Sequence, residues 1–283
     1  MRHAGGLHAR PCALLANAVK KYDAAVEVRA HGKAANARSA TAIMGLAIGE
    51  GEEVEISASG ANAGDALEAA IIALETPSEM EHAAPAVETV VVTAGSLLPG
   101  QLAGVVASPG MAMGFTVRLE HAVGAISEQG EGETLERRAL AAALHAVVGD
   151  IEATIAEAER RGFAEQAEIF AAHRVLADDP EMFAYAIGLI AAGKSAAYAW
   201  RTATEAQCQA LVATANPLLA GRAADLRDVG RRVLAQLCGV QAQAEPEQPY
   251  VLVMAEVGPS DVARLDPARV AGIVTAHGGA TAH

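Results

Sequence analysis

The sequence predicts an α+β unit followed by an α/β unit that carries an inserted helical bundle. Three observations lead there. Val26-Glu27-Val28-Arg29 and Val54-Glu55-Ile56-Ser57 alternate apolar and polar residues, the period of a half-buried strand, and helical stripes flank them. Leu135, Leu140, Leu144, Val148, Ile151 and Ile155 then mark a long amphipathic helix. Near the other end, Tyr250-Val251-Leu252-Val253-Met254 and Ala271-Gly272-Ile273-Val274-Thr275 are apolar runs of buried-strand type.

Taken in order, the first helix starts around Pro11, a residue suited to a first turn. Its stripe is Leu14, Leu15, Ala18, Val19 and Tyr22, and a second stripe is Ala66, Leu67, Ala70, Ile71 and Leu74. Pro77, Pro85 and Pro99 punctuate a stretch without sustained period, read as a linker in which Thr89-Val90-Val91-Val92-Thr93 could form a short strand. Leu102 to Gly110 reads as a short strand ending in a turn. In the helical region, Asp179-Pro180 and Asn216-Pro217 are plausible helix starts, and Gly162 and Gly193 plausible breaks. Ala244 to Pro249 is linker-like.

The 283 residues give room for two domains of ordinary size, and 52% hydrophobic content supports a sizeable core. The formal net charge of -13 argues against a nucleic-acid partner, which needs a basic face. Cys12, Cys208 and Cys238 are odd in number and widely spaced, which fits a reduced, cytoplasmic setting. No apolar run reaches the roughly 18 residues of a membrane span, and no signal peptide is visible.

Two histidines carry the chemistry. His8 lies in Gly5-Gly6-Leu7-His8-Ala9-Arg10-Pro11, just before the first helix. A helix start offers unpaired N–H groups and partial positive charge to an anion. Arg10 adds a bidentate cation, and imidazole is nucleophilic near neutral pH. A surface loop with a chance His and Arg fits the local residues equally well. Leu7-His8-Ala9-Arg10-Pro11, however, resembles the active-site motif of HPr, the histidine phosphocarrier of the bacterial phosphotransferase system, over Gly5 to Leu74. The resemblance implies His8 as the phosphorylated residue, Arg10 as its partner and the Cys12 backbone as a phosphate contact. It also marks Ser39, in Asn36-Ala37-Arg38-Ser39, as the regulatory serine; a helix N-cap is the simpler role. HPr has a full strand before the histidine loop, where only Met1 to Ala4 precede Gly5, so an unpaired sheet edge is expected.

His283 closes the string Gly278-Gly279-Ala280-Thr281-Ala282-His283, where two glycines let backbone approach an anion. The string resembles the phosphohistidine motif of enzyme I and of the related pyruvate phosphate dikinases. That implies His283 as a second phosphorylated residue, with Thr281 and Gly279 at the phosphate. Ala280 and Ala282 stand where the family usually has Arg and Ser. His277 is a decoy that matches no family histidine.

The enzyme I resemblance extends over residues 103–283 through Ala107-Ser108-Pro109-Gly110, Glu168 to His173 and Gly221 to Gly230. It implies an HPr-docking face with Glu165, His173, Leu176, Glu181, Met182, Leu219 and Arg222 as candidates. Bundle core is the alternative for the apolar members, and a solvated face for Glu165 and Glu181. The implied fold is an HPr-like open-faced β-sandwich at 1–76, a linker at 77–101 and an enzyme I N-terminal region at 102–283. Within the last, a helical docking subdomain covers about 130–240, and a phosphohistidine α/β domain about 102–129 and 250–283.

An HPr-like module before an enzyme I-like module is the order of multiphosphoryl transfer proteins. The resemblance thus implies a phosphoenolpyruvate–protein phosphotransferase that relays phosphate from His283 to His8 for sugar uptake. It implies Mg²⁺, bound by a C-terminal barrel and not by this chain. It implies HPr, enzyme I and enzyme IIA-type partners, a membrane contact only through a sugar permease, and a homodimeric parent. The chain stops on His283, so it reads as a piece of a longer protein, inert towards phosphoenolpyruvate and Mg²⁺ by itself. The alternative is a non-enzymatic HPr-type regulator with a docking domain; a dikinase is disfavoured by the fused HPr-like module.

Overall fold

The computed structural model describes residues 3, 6–76, 90–91, 104–118, 124–214, 217–240 and 246–277. The chain divides into two units, Met1–Glu81 with Val123–Gln241, and His82–Ala122 with Ala242–His283.

The first unit opens with α1 (Ala9–Lys20), β1 (Ala25–Ala30), β2 (Lys33–Asn36), α2 (Ala40–Met44), β3 (Glu55–Ser59) and α3 (Ala63–Glu75). The strands form an antiparallel sheet in the order β2-β1-β3. Val26 and Val28 point into the core while Glu27 and Arg29 are turned towards solvent, as the alternation requires. Leu15 and Val19 of α1 and Ala66, Ala70 and Leu74 of α3 bury the matching helical stripes. Leu14 and Ile71 belong to the expected stripes yet are exposed. Each sits at the margin of its helix's apolar arc, where periodicity does not decide burial.

The rest of this unit is a helical block: α4 (Glu133–Arg160), α5 (Ala164–Ala177), α6 (Pro180–Ala191), α7 (Ala196–Ala213) and α8 (Pro217–Leu237). Gly162 and Gly193 take φ of +74° and +85° and separate helices, the left-handed conformation that ends a helix. Asp179 caps α6 by accepting from the Glu181 and Met182 amides, with Pro180 as the first helical residue. Leu140, Val147 and Ile151 of α4 are buried in the block, as are Phe170, Trp200, Leu226 and Val233. An 18-residue window of α4 reaches mean hydropathy 1.5, long and apolar enough by composition to cross a membrane. The expectation that no apolar run reaches that length is corrected on composition: alanines between scattered charges raise this helix, which buries Leu140, Val147 and Ile151 in the helical block.

In the second unit, β4 (Val90–Val91) pairs antiparallel with β5 (Val105–Val106). Residues 77–89 and 92–101 of the expected linker lie outside the described residues. β6 (Phe115–Arg118), β7 (Tyr250–Met254) and β8 (Val270–Thr275) form a parallel sheet in that order, with the short α9 (Pro259–Val262) between the last two strands. Tyr250, Leu252 and Met254 make its core with Val117, Val257, Leu265 and Val270.

Candidate functional site

His8 is the N-cap of α1, with extended backbone at φ -87° and ψ -172°. Its carbonyl accepts the Cys12 amide at 3.1 Å, the first bond of the helix. The residues before it are held from both sides. The Leu7 amide donates to the Ile48 carbonyl at 2.9 Å, and the Cys12 thiol donates to the Leu7 carbonyl at 3.3 Å. Gly6 has φ +79°, and a β-carbon there would lie 2.2 Å from the Ile48 carbonyl oxygen, so only glycine fits. Cys12 is fully buried, and burial pushes its thiol well above the usual range, so it is not a thiolate competing for a phosphoryl group.

The helix carrying His8 lies against the helical block. Arg10 faces Glu168 of α5 at 3.6 Å, Arg174 donates to the Asn17 side chain at 3.1 Å, and Lys20 pairs with Asp178 at 2.9 Å. The α2 end is tied more tightly. The Asp179 carboxylate accepts the Ser39 hydroxyl at 2.9 and 3.0 Å and the Thr41 amide at 3.0 Å. Ser39 in turn caps α2 by accepting the Ala42 amide at 3.0 Å. Asp179 thus serves the N-termini of two helices through bonds to residues 138 and 140 positions away in sequence, and both Ser39 and Asp179 are buried. Beside this node, Asn36 donates to Glu181 at 3.4 Å.

Residues 1–76 match the family model of the PTS HPr component phosphorylation site, residues 103–222 that of the PEP-utilising enzyme N-terminal domain, and residues 246–283 that of the PEP-utilising enzyme mobile domain. The chain belongs to the family that joins an HPr domain to a PEP-utilising enzyme N-terminal domain. It is 36% identical over 292 residues to a multiphosphoryl transfer protein of Xanthomonas campestris pv. campestris, an alignment covering 98% of this chain and 34% of that protein. Against the multiphosphoryl transfer protein of Rhodobacter capsulatus the identity is 36% over 273 residues, 93% of this chain and 33% of that one. A phosphoenolpyruvate-protein phosphotransferase of Streptomyces coelicolor is 40% identical over 138 residues, 47% of this chain and 25% of its own length. The chain spans about a third of the length of the multiphosphoryl transfer proteins it matches.

The site residues read from the sequence fall into three groups. His8, Arg10, Cys12 and Ser39 are gathered on the HPr domain as described. Gly279, Thr281 and His283 lie outside the described residues. His277 is exposed, and its amide donates to the Ala255 carbonyl at 2.9 Å. Of the docking candidates, Glu181 meets the HPr domain through Asn36, while Glu165 is exposed at the start of α5. Leu176, Met182 and Leu219 are buried. His173 is buried with its ring between Asp225 at 3.8 Å and Asp228 at 3.6 Å, and edge-on to Phe170. Arg222 and Arg231 pair with those aspartates at 3.2 Å each. Asp178, Asp179, Glu168 and Arg174 make the contacts to the HPr domain that sequence reading did not single out. Charge was the available signal for two of them: Glu168 and Asp178 are acids that face Arg10 and Lys20 of α1.

Burial pushes the Asp179 carboxyl above the ordinary carboxylate range, against hydrogen bonds from Thr41, Ser39 and Met182 that pull it down. The protonated form is therefore favoured by docking. This contribution is complete below the ordinary carboxylate pKa and is lost as pH rises through the raised value. Asp179→Asn keeps one oxygen to cap α6 but turns an NH2 donor towards the Thr41 amide, so it docks more weakly and no longer titrates. The variant's docked fraction is expected to be flat across that pH window, while the parent's falls as pH rises. Energy transfer between fluorophores on exposed positions 33 and 205 measures it; identical pH profiles for the two proteins would refute the assignment.

Proposed function

We propose that this chain is part of a phosphoenolpyruvate-dependent phosphotransferase relay that serves sugar uptake. In it, a phosphoryl group passes from the enzyme I-type His283 to the HPr-type His8. The observation that carries the reading is the seating of α1 and α2 on the α5–α6 surface, because it holds the histidine-bearing helix of the HPr domain on the PEP-utiliser half.

The chemistry follows from position. In the transfer, the N–P bond at His283 breaks as an N–P bond at His8 forms, and the protein's task is orientation and charge stabilisation. At His8 the helix start offers the Ala9 and Arg10 amides to the phosphoryl oxygens; Pro11 has no N–H, and Cys12 already donates to the His8 carbonyl. The Arg10 guanidinium adds a cation close by. In the whole protein the donor is phosphoenolpyruvate and the acceptors beyond His8 are enzyme IIA-type proteins, with a cytoplasmic site of action and a homodimeric assembly. The family implies Mg²⁺; among the described residues no group of three His, Cys, Asp or Glu side chains is arranged to hold it.

Incubation with a phosphorylated enzyme I-type donor tests the acceptor. Label that is acid-labile and base-stable is expected on the parent chain and absent from His8→Ala. Unchanged labelling of His8→Ala, or no labelling of a folded parent chain, refutes the proposal.

A further inference from the structure

We propose that His31 and Glu52 form a clasp that positions the His8 loop for phosphoryl transfer. This rests on the reading of His8 as the acceptor, and goes on to say what holds it in place.

The β1–β2 hairpin closes with Ala30 opposite Lys33, so its turn is the pair His31-Gly32, with φ of +53° and +71°. Two positive φ values in a two-residue turn are type I′ geometry, where Asn-Gly is the ordinary choice. A histidine there is strained. What it supplies is reach. His31 Nδ1 lies 3.0 Å from the Leu46 carbonyl oxygen, and Nε2 lies 3.2 Å from Glu52 Oε2. Both partners are oxygens, so each ring nitrogen faces one of the two ends that the histidine bridges. The same Glu52 Oε2 accepts the Gly49 amide at 2.7 Å. That backbone bond, followed by the field of His31, holds the Glu52 carboxyl below its ordinary range.

The clasp therefore grips the segment from Leu46 to Gly49 at both ends. Ala47, in the middle, has φ +54°; it and His31 are the two non-glycine residues with positive φ among the described residues. Strain of this kind persists where surrounding contacts over-determine it, and it concentrates at functional sites. The gripped segment is the one the His8 loop rests on: the Ile48 carbonyl takes the Leu7 amide and abuts Gly6, and the His8 amide donates to the Gly6 carbonyl at 3.1 Å. Contacts thus run from His31 and Glu52, through Ile48, to the residue whose carbonyl starts α1. The two clasp side chains are about half-exposed, so their direct effect on stability is small. They act as positioning residues.

His31→Asn separates positioning from stability, because asparagine relieves the turn while it cannot reach Leu46 and Glu52 together. In the full chain its melting temperature is expected to equal or exceed the parent's. Its initial rate of phosphoryl uptake from a phosphorylated enzyme I-type donor should fall about tenfold, roughly the effect of a small misplacement of a reacting group. Glu52→Ala should slow uptake similarly, and Glu52→Gln, which still accepts from Gly49, should recover part of the rate. The Leu7 and His8 amide resonances should move in His31→Asn and Glu52→Ala. Uptake by His31→Asn and Glu52→Ala within twofold of the parent, or unmoved Leu7 and His8 resonances, overturns the clasp. Failure of the parent chain to label His8 would instead overturn the acceptor assignment, and the resonances would still decide whether the clasp grips the loop.

Discussion

Ser39→Asp will release the HPr domain from the helical block. The parent hydroxyl is buried and donates to the Asp179 carboxylate at 2.9 and 3.0 Å. Hydrogen bonds to a charged group contribute about 1.5–3 kcal/mol. The variant removes the donor and sets a second carboxyl against the first, so one of them must take a proton or move apart. Disrupting a buried charged contact in this way costs about 3–5 kcal/mol, which is roughly two to four orders of magnitude in the docking equilibrium. Aspartate remains a good N-cap, so α2 itself should persist. Energy transfer between positions 33 and 205 should collapse while helix content by circular dichroism is unchanged. Ser39→Ala, which adds no charge, should have a clearly smaller effect. Transfer efficiency equal to the parent's in Ser39→Asp would refute the role given to this node. The same result bears on Ser39 as a modification site: a phosphate there would add still more negative charge at the same carboxylate.

Gly6→Ala should be the most damaging single methyl in the HPr domain. The left-handed backbone alone costs a residue with a β-carbon about 1–2 kcal/mol. The added carbon would also lie 2.2 Å from the Ile48 carbonyl oxygen and 2.8 Å from the Gly49 α-carbon, and neither backbone atom can rotate away. The loop must then lift from residues 48–49, which breaks the Leu7–Ile48 hydrogen bond, a further loss of about 1 kcal/mol. For a domain this small, roughly 2–3 kcal/mol in all corresponds to a melting temperature lower by about 10 °C or more. Phosphoryl uptake at His8 should be lost in parallel, because the loop carries its ring. Calorimetry and hydrogen exchange at the Leu7 amide measure both parts. A melting temperature within two or three degrees of the parent's, about the spread of a neutral surface change, would show that the loop is not held as described.

Local chemistry made much of this molecule legible. The alternation at Val26 to Arg29 placed a strand inside β1, and Asp179-Pro180 announced the start of α6, because both signals act within one turn or one pleat. His8 could be assigned to a helix start from Pro11 and the stripe that follows. The same locality limits the reading. Asp179 read as an ordinary cap, and its first oxygen does serve that role. Its second oxygen takes the Thr41 amide, and nothing within a few residues of Asp179 encodes that. Likewise nothing close to Glu168 and Asp178 along the chain encodes Arg10 and Lys20, which only the fold brings to them. His173 shows the reverse: matched to a docking helix, it lies buried between Asp225 and Asp228.

The sequence alone therefore determined β1, β3, β7, β8 and the long helices, most of their apolar faces, and that a histidine with an arginine two residues on begins a helix; β2 and β6 carried no signal that was read. Tertiary structure decided which surfaces meet. It joined Ser39 and Thr41 to Asp179, pressed Gly6 against Ile48, and linked His31 through Glu52 to the His8 loop. The physical reason is that periodicity and capping are set by neighbours along the chain, whereas a long-range hydrogen bond exists only once both partners have been folded into place.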